Sequence, residues 1–124
     1  MEIRFTKEEA QGIFLDALCN GLGYISGYGL DLDYKKEDYK SAKANCKGSS
    51  YEDVLLQILL DGNSLTIIDE EDEDNINTIT IQDVYDRISS VPFDHLSDMI
   101  NGNDDATTAD VILQTIFFNE IIYG

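Results

Sequence analysis

The chain reads as an α+β protein, with about six helices packed against a small antiparallel β-hairpin in a single domain. Two short runs, Ser64-Leu65-Thr66-Ile67-Ile68 and Asn77-Thr78-Ile79-Thr80-Ile81, alternate apolar residues with threonine at the period of half-buried strands. Between them stand six consecutive acids, Asp69, Glu70, Glu71, Asp72, Glu73 and Asp74, which can turn but cannot bury themselves. On either side, apolar residues recur at helical spacing behind capping residues, and 124 residues suffice for one core without staples.

Thr6-Lys7-Glu8-Glu9 is a capping box, and Ile13, Phe14, Ala17, Leu18 and Leu22 continue it as a helix over residues 7–20. The glycine- and tyrosine-rich run from Gly21 to Gly29 then predicts capping and turns. It follows a helix and lacks GxGxxG spacing, so it does not make a phosphate loop. Its Tyr24 and Tyr28 are candidates to line a small pocket. Leu30-Asp31-Leu32-Asp33-Tyr34 alternates like a short strand.

A second helix over residues 35–46 places Lys36, Lys40, Lys43 and Lys47 on one face and Tyr39, Ala42 and Cys46 on another. Ser49 and Ser50 can each N-cap a third helix, and Ser49 and Glu52 stand at capping-box spacing before Val54-Leu55-Leu56-Gln57-Ile58-Leu59-Leu60. That run is apolar almost all round and predicts a central buried helix ending at Asp61-Gly62.

After the hairpin, Thr80 and Asp83 form another box, Pro92 opens a short helix reaching Ile100, and Thr107 and Asp110 cap a last one through Phe118. Asp53-Val54-Leu55-Leu56-Gln57 and Asp110-Val111-Ile112-Leu113-Gln114 share a pattern, which suggests two helices packed as a pair. Gln57 and Gln114 interrupt apolar runs, so each needs a hydrogen-bond partner if buried.

The charge is segregated. Residues 1–47 hold 8 acids and 7 bases, whereas residues 48–124 hold 17 acids and only Arg87, within a net charge of −17. Acidity by itself serves solubility, but a generic soluble surface mixes the signs. An anionic protein is repelled by nucleic acid and by anionic membranes, so neither is expected as a direct partner. Met1-Glu2-Ile3-Arg4-Phe5 lacks the apolar region of a signal peptide, no run is long enough to span a bilayer, and a cytoplasmic location is the expectation.

No residue pattern announces catalysis. His95 is the sole histidine, Cys19 and Cys46 match neither a zinc set nor a CxxC pair, and both are expected as free buried thiols. Asp72-Glu73-Asp74-Asn75-Ile76-Asn77 begins like a calcium loop, but Ile76 and Asn77 replace a ligand and the turn glycine. The expectation is a protein with no catalytic residues, no metal and no cofactor.

A stoichiometric binder fits these features. A compact domain of this length has a radius of gyration of about 14 Å and a long dimension of roughly 35–40 Å. Duplex DNA carries a charge every ~1.7 Å, so an equal length holds about 20. The 17 acids of residues 48–124 are of that order.

In its size, its acidity and the absence of catalytic motifs the chain resembles the small acidic accessory proteins of bacteriophages and mobile elements, among them anti-restriction and anti-CRISPR inhibitors. The tail from Asp110-Val111-Ile112-Leu113-Gln114 to Glu120-Ile121-Ile122-Tyr123-Gly124 also looks like that of phage proteins. The resemblance implies a non-enzymatic inhibitor, a nucleic-acid-mimicking decoy whose partner is a basic, nucleic-acid-binding protein. Glu70, Glu71, Asp72, Glu73 and Asp74 with Asp69 would make the main contact, and Asp104 and Asp105 a second patch. Two other classes fit the residues: a small-molecule binding protein built on Tyr24 and Tyr28, and an oligomeric accessory or structural protein in which the lysine stripe meets a neighbour's acids.

Overall fold

The computed structural model describes residues 5–27, 29–48, 50–69, 76–91, 94 and 106–118. Among them five helices and a three-stranded sheet follow one another. They are α1 (Lys7–Ser26), β1 (Leu30–Asp33), α2 (Lys36–Asn45), α3 (Tyr51–Leu60), β2 (Leu65–Asp69), β3 (Ile76–Ile79), α4 (Ile81–Arg87) and α5 (Ala106–Phe118), with a 3-10 turn, Ile88–Ser90, after α4. The architecture is α+β. Of the helix expected over residues 92–100 only Asp94 is described, and it is helical; the rest lies outside the described residues.

The sheet is antiparallel in the order β1-β2-β3, so the expected hairpin acquires Leu30–Asp33 as a third strand. Leu65 pairs with Ile79, Thr66 with Thr78 and Ile68 with Ile76, while Leu30 pairs with Asp69 across the other side of β2. This register puts Leu65, Ile67 and Ile79 into the core and leaves Thr66 and Thr78 outward, their hydroxyls 3.0 Å apart. Ile81, read as the end of the hairpin, instead opens α4 behind Thr80, whose N–H donates to Asp83 Oδ2 at 2.9 Å.

α1 begins as its capping box requires, with the Thr6 N–H donating to Glu9 and the Glu9 N–H donating to Thr6 Oγ1. It does not stop at residue 20. The helix runs on to Ser26 through Gly21 and Gly23, and the turn comes only at Gly29, whose φ is +82°. Gly21 is there for close approach: a Cβ on it would stand 2.8 Å from Leu113 Cδ1 and 3.0 Å from Ala109 Cβ of α5. Ala10, Ile13, Phe14, Ala17, Leu18 and Gly21 line the buried face of α1 at steps of three and four.

The central buried helix is α5, not α3. Every side chain from Thr108 to Phe117 is buried. α5 packs on α1, on α4 and on β3, and Phe14 meets Phe117 with ring centroids 6.4 Å apart. α3 buries one stripe, Val54, Leu55, Ile58 and Leu59, and leaves Tyr51 and Leu60 exposed. Its cap is Ser50, one of the two expected serines, and the box closes with Asp53, one residue on from the expected Ser49 and Glu52. It ends in a Schellman turn, with Gly62 at φ +90° and the Asn63 N–H donating to the Ile58 carbonyl.

The shared pattern of α3 and α5 does not make them a pair; α1 is the neighbour of both. Gln57 and Gln114 separate accordingly. Gln57 is half-buried and donates to Asp61 Oδ1 at 2.8 Å, whereas Gln114 is buried and donates to Asp110 Oδ1 at 3.0 Å. Asp110 therefore stands inside α5 as a hydrogen-bonded core residue and not in a capping box.

Candidate functional site

Two features of the described chain are candidates for function: the anchored ends of the acidic connection, and a cleft beside a group of tyrosines. β2 and β3 hold the first. Ile68 and Ile76 form the last pair of their ladder, and the connection between the strands carries Glu70, Glu71, Asp72, Glu73 and Asp74, which lie outside the described residues, as do Asp104 and Asp105. Asp69 leaves the expected anionic patch. It shares the inward face of β2 with Leu65 and Ile67 and is only 4% exposed, because the pleat repeats every second residue. Asp110 is buried as well, so two of the 17 acids are withdrawn from the surface.

Arg87, the single base of residues 48–124, is also committed. Its guanidinium donates to the Ile116 carbonyl at 2.7 Å and approaches Asp83 at 3.7 Å. Ile116 and Phe117 are in the last turn of α5, where carbonyls lack intrahelical donors, so the arginine closes that helix end.

The second feature joins three tyrosines that lie 5 and 12 residues apart in the chain. Tyr34, just after β1, stacks on Tyr39 of α2 with ring centroids 5.3 Å apart and an interplanar angle of 19°. Tyr51, the first residue of α3, leans on both rings and shares a hydrogen bond with Tyr34, hydroxyl to hydroxyl, at 3.0 Å. Burial first, and then this bond, push the Tyr51 phenol well above its ordinary range, so it stays neutral at physiological pH. Next to Tyr51 opens a cleft of about 200 Å³ lined by Leu22, Ser26, Leu30, Asp31, Leu32 and Tyr51.

Position 24 is within α1, but the side chain of Tyr24 and the whole of Tyr28 lie outside the described residues. The glycine- and tyrosine-rich run contributes Leu22 and Ser26, and the aromatic wall comes from Tyr51. No spacing rule singles out Tyr51, because strand β1 and helix α3 meet there only through the fold.

Three of the four lysines expected on one helix face, Lys36, Lys40 and Lys43, are on α2, whereas Lys47 follows its extended C-cap Cys46 and is off the helix. Lys36, Lys40, Lys43 and Lys47 are exposed, while Ala42 is buried and Tyr39 and Cys46 are half-buried. Both cysteines are free, but Cys19 is exposed and Cys46 half-buried, so the expectation of buried thiols is corrected. Among the described residues no helix is long and apolar enough to cross a membrane. Comparison of the chain with known protein families, with curated proteins and with solved structures finds no match.

Proposed function

We propose that the protein is a non-enzymatic binder that offers anionic surface to the basic groove of a nucleic-acid-binding protein, as an inhibitor or decoy. The observation that carries this reading is the segregation of charge. Residues 48–124 have 17 acids and one base, and that base is occupied at the end of α5. Seventeen acids against a single positive charge are unlike the mixed signs of a surface that only keeps a protein soluble. The paired ends of β2 and β3 also suit a contact built on the connection between them, since an anchored loop loses less freedom on binding.

Association through such a surface is fast and falls steeply with salt. The test uses immobilised protein, a nuclease-treated lysate of the host, and separate elution with salt and with duplex DNA. A variant carrying Glu71→Lys, Glu73→Lys and Asp74→Lys runs beside it. The reading expects one basic protein that is released by both eluents and does not bind the variant. Capture that DNA does not displace, or that the three reversals leave unchanged, rules it out.

A further inference from the structure

We propose that the cleft between the end of α1, the outer edge of β1 and the start of α3 is a binding site for a small organic cation, an ammonium group carried on an apolar body. Three leucines, Leu22, Leu30 and Leu32, supply apolar lining, and the Tyr51 ring supplies an aromatic wall. Among the described residues Asp31 is the one charged residue that lines the cleft, and no base is with it.

The backbone adds to the same sign. α1 runs for 20 residues and reaches the cleft at its last residue, Ser26, with no basic residue in its final turn to offset the negative end of its dipole. The opposing positive end of α3 is offset by Glu52 and Asp53 in its own first turn. A cation in the cleft is therefore beside an acidic residue, a helix C-terminus and an aromatic residue in a protein of net charge −17, which raises the local concentration of cations.

Size limits the body. An apolar cavity of about 150 Å³ accepts one benzene. The cleft's 200 Å³ matches one six-membered ring with a short ammonium arm. The wall is also preorganised, because the Tyr51 ring is braced by the hydroxyl of Tyr34 and by the stacked ring of Tyr39.

The test is a methyl and aromatic NMR titration of the full chain at fixed ionic strength with benzylammonium, benzyl alcohol and benzoate. The expected result is saturable shifts of Leu22, Leu30, Leu32 and Tyr51 with benzylammonium, binding about tenfold weaker for the isosteric alcohol, and none for benzoate. Asp31→Asn weakens benzylammonium about fivefold, Tyr51→Leu weakens it similarly, and Tyr51→Phe, which keeps the ring, retains it. Asp33→Asn is the control, since Asp33 is an exposed carboxylate on the same strand that does not line the cleft. Equal affinity for ammonium and alcohol, an equal loss in Asp33→Asn, or leucine methyls that do not move would each overturn the proposal. Every one of these substitutions is at the surface, and circular dichroism of each variant checks that the fold is kept.

Discussion

Gly21 of α1 lies against Leu113 of α5 with no space for a side chain, a Cβ there falling 2.8 Å from Leu113 Cδ1. Two other glycines of the same helix, Gly12 and Gly23, would place a Cβ in open space. One helix therefore contains both signs of the same substitution. Gly12→Ala and Gly23→Ala each stabilise by about 0.5–1 kcal/mol through helix propensity. Gly21→Ala gains the same propensity but overpacks the helix contact by about 1–3 kcal/mol, so it destabilises by about 1 kcal/mol. Urea unfolding of the three variants decides it: a stabilised Gly21→Ala would show that α1 and α5 are not in contact there.

Arg87 is expected to matter to stability more than its place in an acidic half implies. Arg87→Met keeps the stem and removes the donor to the α5 carbonyls, at a cost of about 1–2 kcal/mol in a half-buried position. Asp83 contributes little to that loss, since a 3.7 Å pair at the surface is weak. The check is the midpoint of denaturant unfolding at low and high salt, which should fall by the same amount in both.

The hydrogen bond from Gln114 to Asp110 is inside the core, so Gln114→Glu sets two carboxylates together where an amide was. It destabilises by roughly 2–4 kcal/mol at neutral pH. Like-charge contact raises the pKa of the pair, and the deficit shrinks as acid protonates one of them. Thermal unfolding of variant and wild type from pH 7 down to pH 4 measures this, and a deficit that grows on acidification would refute it.

The α1 capping box has the opposite pKa shift, and removing it gives a deficit that likewise shrinks in acid. The Thr6 N–H first, and its hydroxyl second, hold the Glu9 carboxyl below the ordinary glutamate range. A depressed folded pKa gives stability that is present above the unfolded value and lost as pH falls through the folded one. Glu9→Ala therefore destabilises the protein at pH 7 and loses most of that effect in acid, below the ordinary glutamate range. Melts across that window show a converging pair of curves if the box acts through the charged form.

Cys19 is exposed, yet partial desolvation and then the carboxylates of Glu52, Asp16 and Asp53 push its thiol above the ordinary range. Alkylation of Cys19 at pH 8 should be slower than that of an unhindered thiol, and Glu52→Gln should quicken it. The linked effect on stability appears only in alkali, where the unfolded thiol ionises before the folded one and the folded state is disfavoured. Mass spectrometry of iodoacetamide-treated protein follows the rate directly.

Local chemistry made some of this fold legible. Thr6 with Glu9, Thr80 with Asp83 and Gly62 after α3 act through neighbours three or four residues away, and the alternation of Leu65, Ile67 and Ile79 identifies the inward face of the sheet. Gly21 reads as a turn residue in the sequence for a definite reason. A glycine's local signal is the same for a turn as for a close helix contact, and only the approach of Ala109 and Leu113 distinguishes them. The centrality of α5 over α3 was hidden for a similar reason, since both runs are strongly apolar and burial depends on how many neighbours each helix has. Of the candidate sites, the acidic connection could be read directly from its run of carboxylates, whereas Tyr51, Asp31 and Leu22 belong to elements far apart in the chain and share no pattern.

The amino-acid sequence by itself determined the α+β class, the hairpin, most helix starts and the segregation of charge, because each depends on composition or on residues within about one turn of each other. Tertiary structure alone decided that Asp69 and Asp110 are buried, that Arg87 closes α5, that β1 joins the sheet, and that three distant tyrosines meet beside a cleft. Those outcomes depend on long-range packing, which no local periodicity encodes.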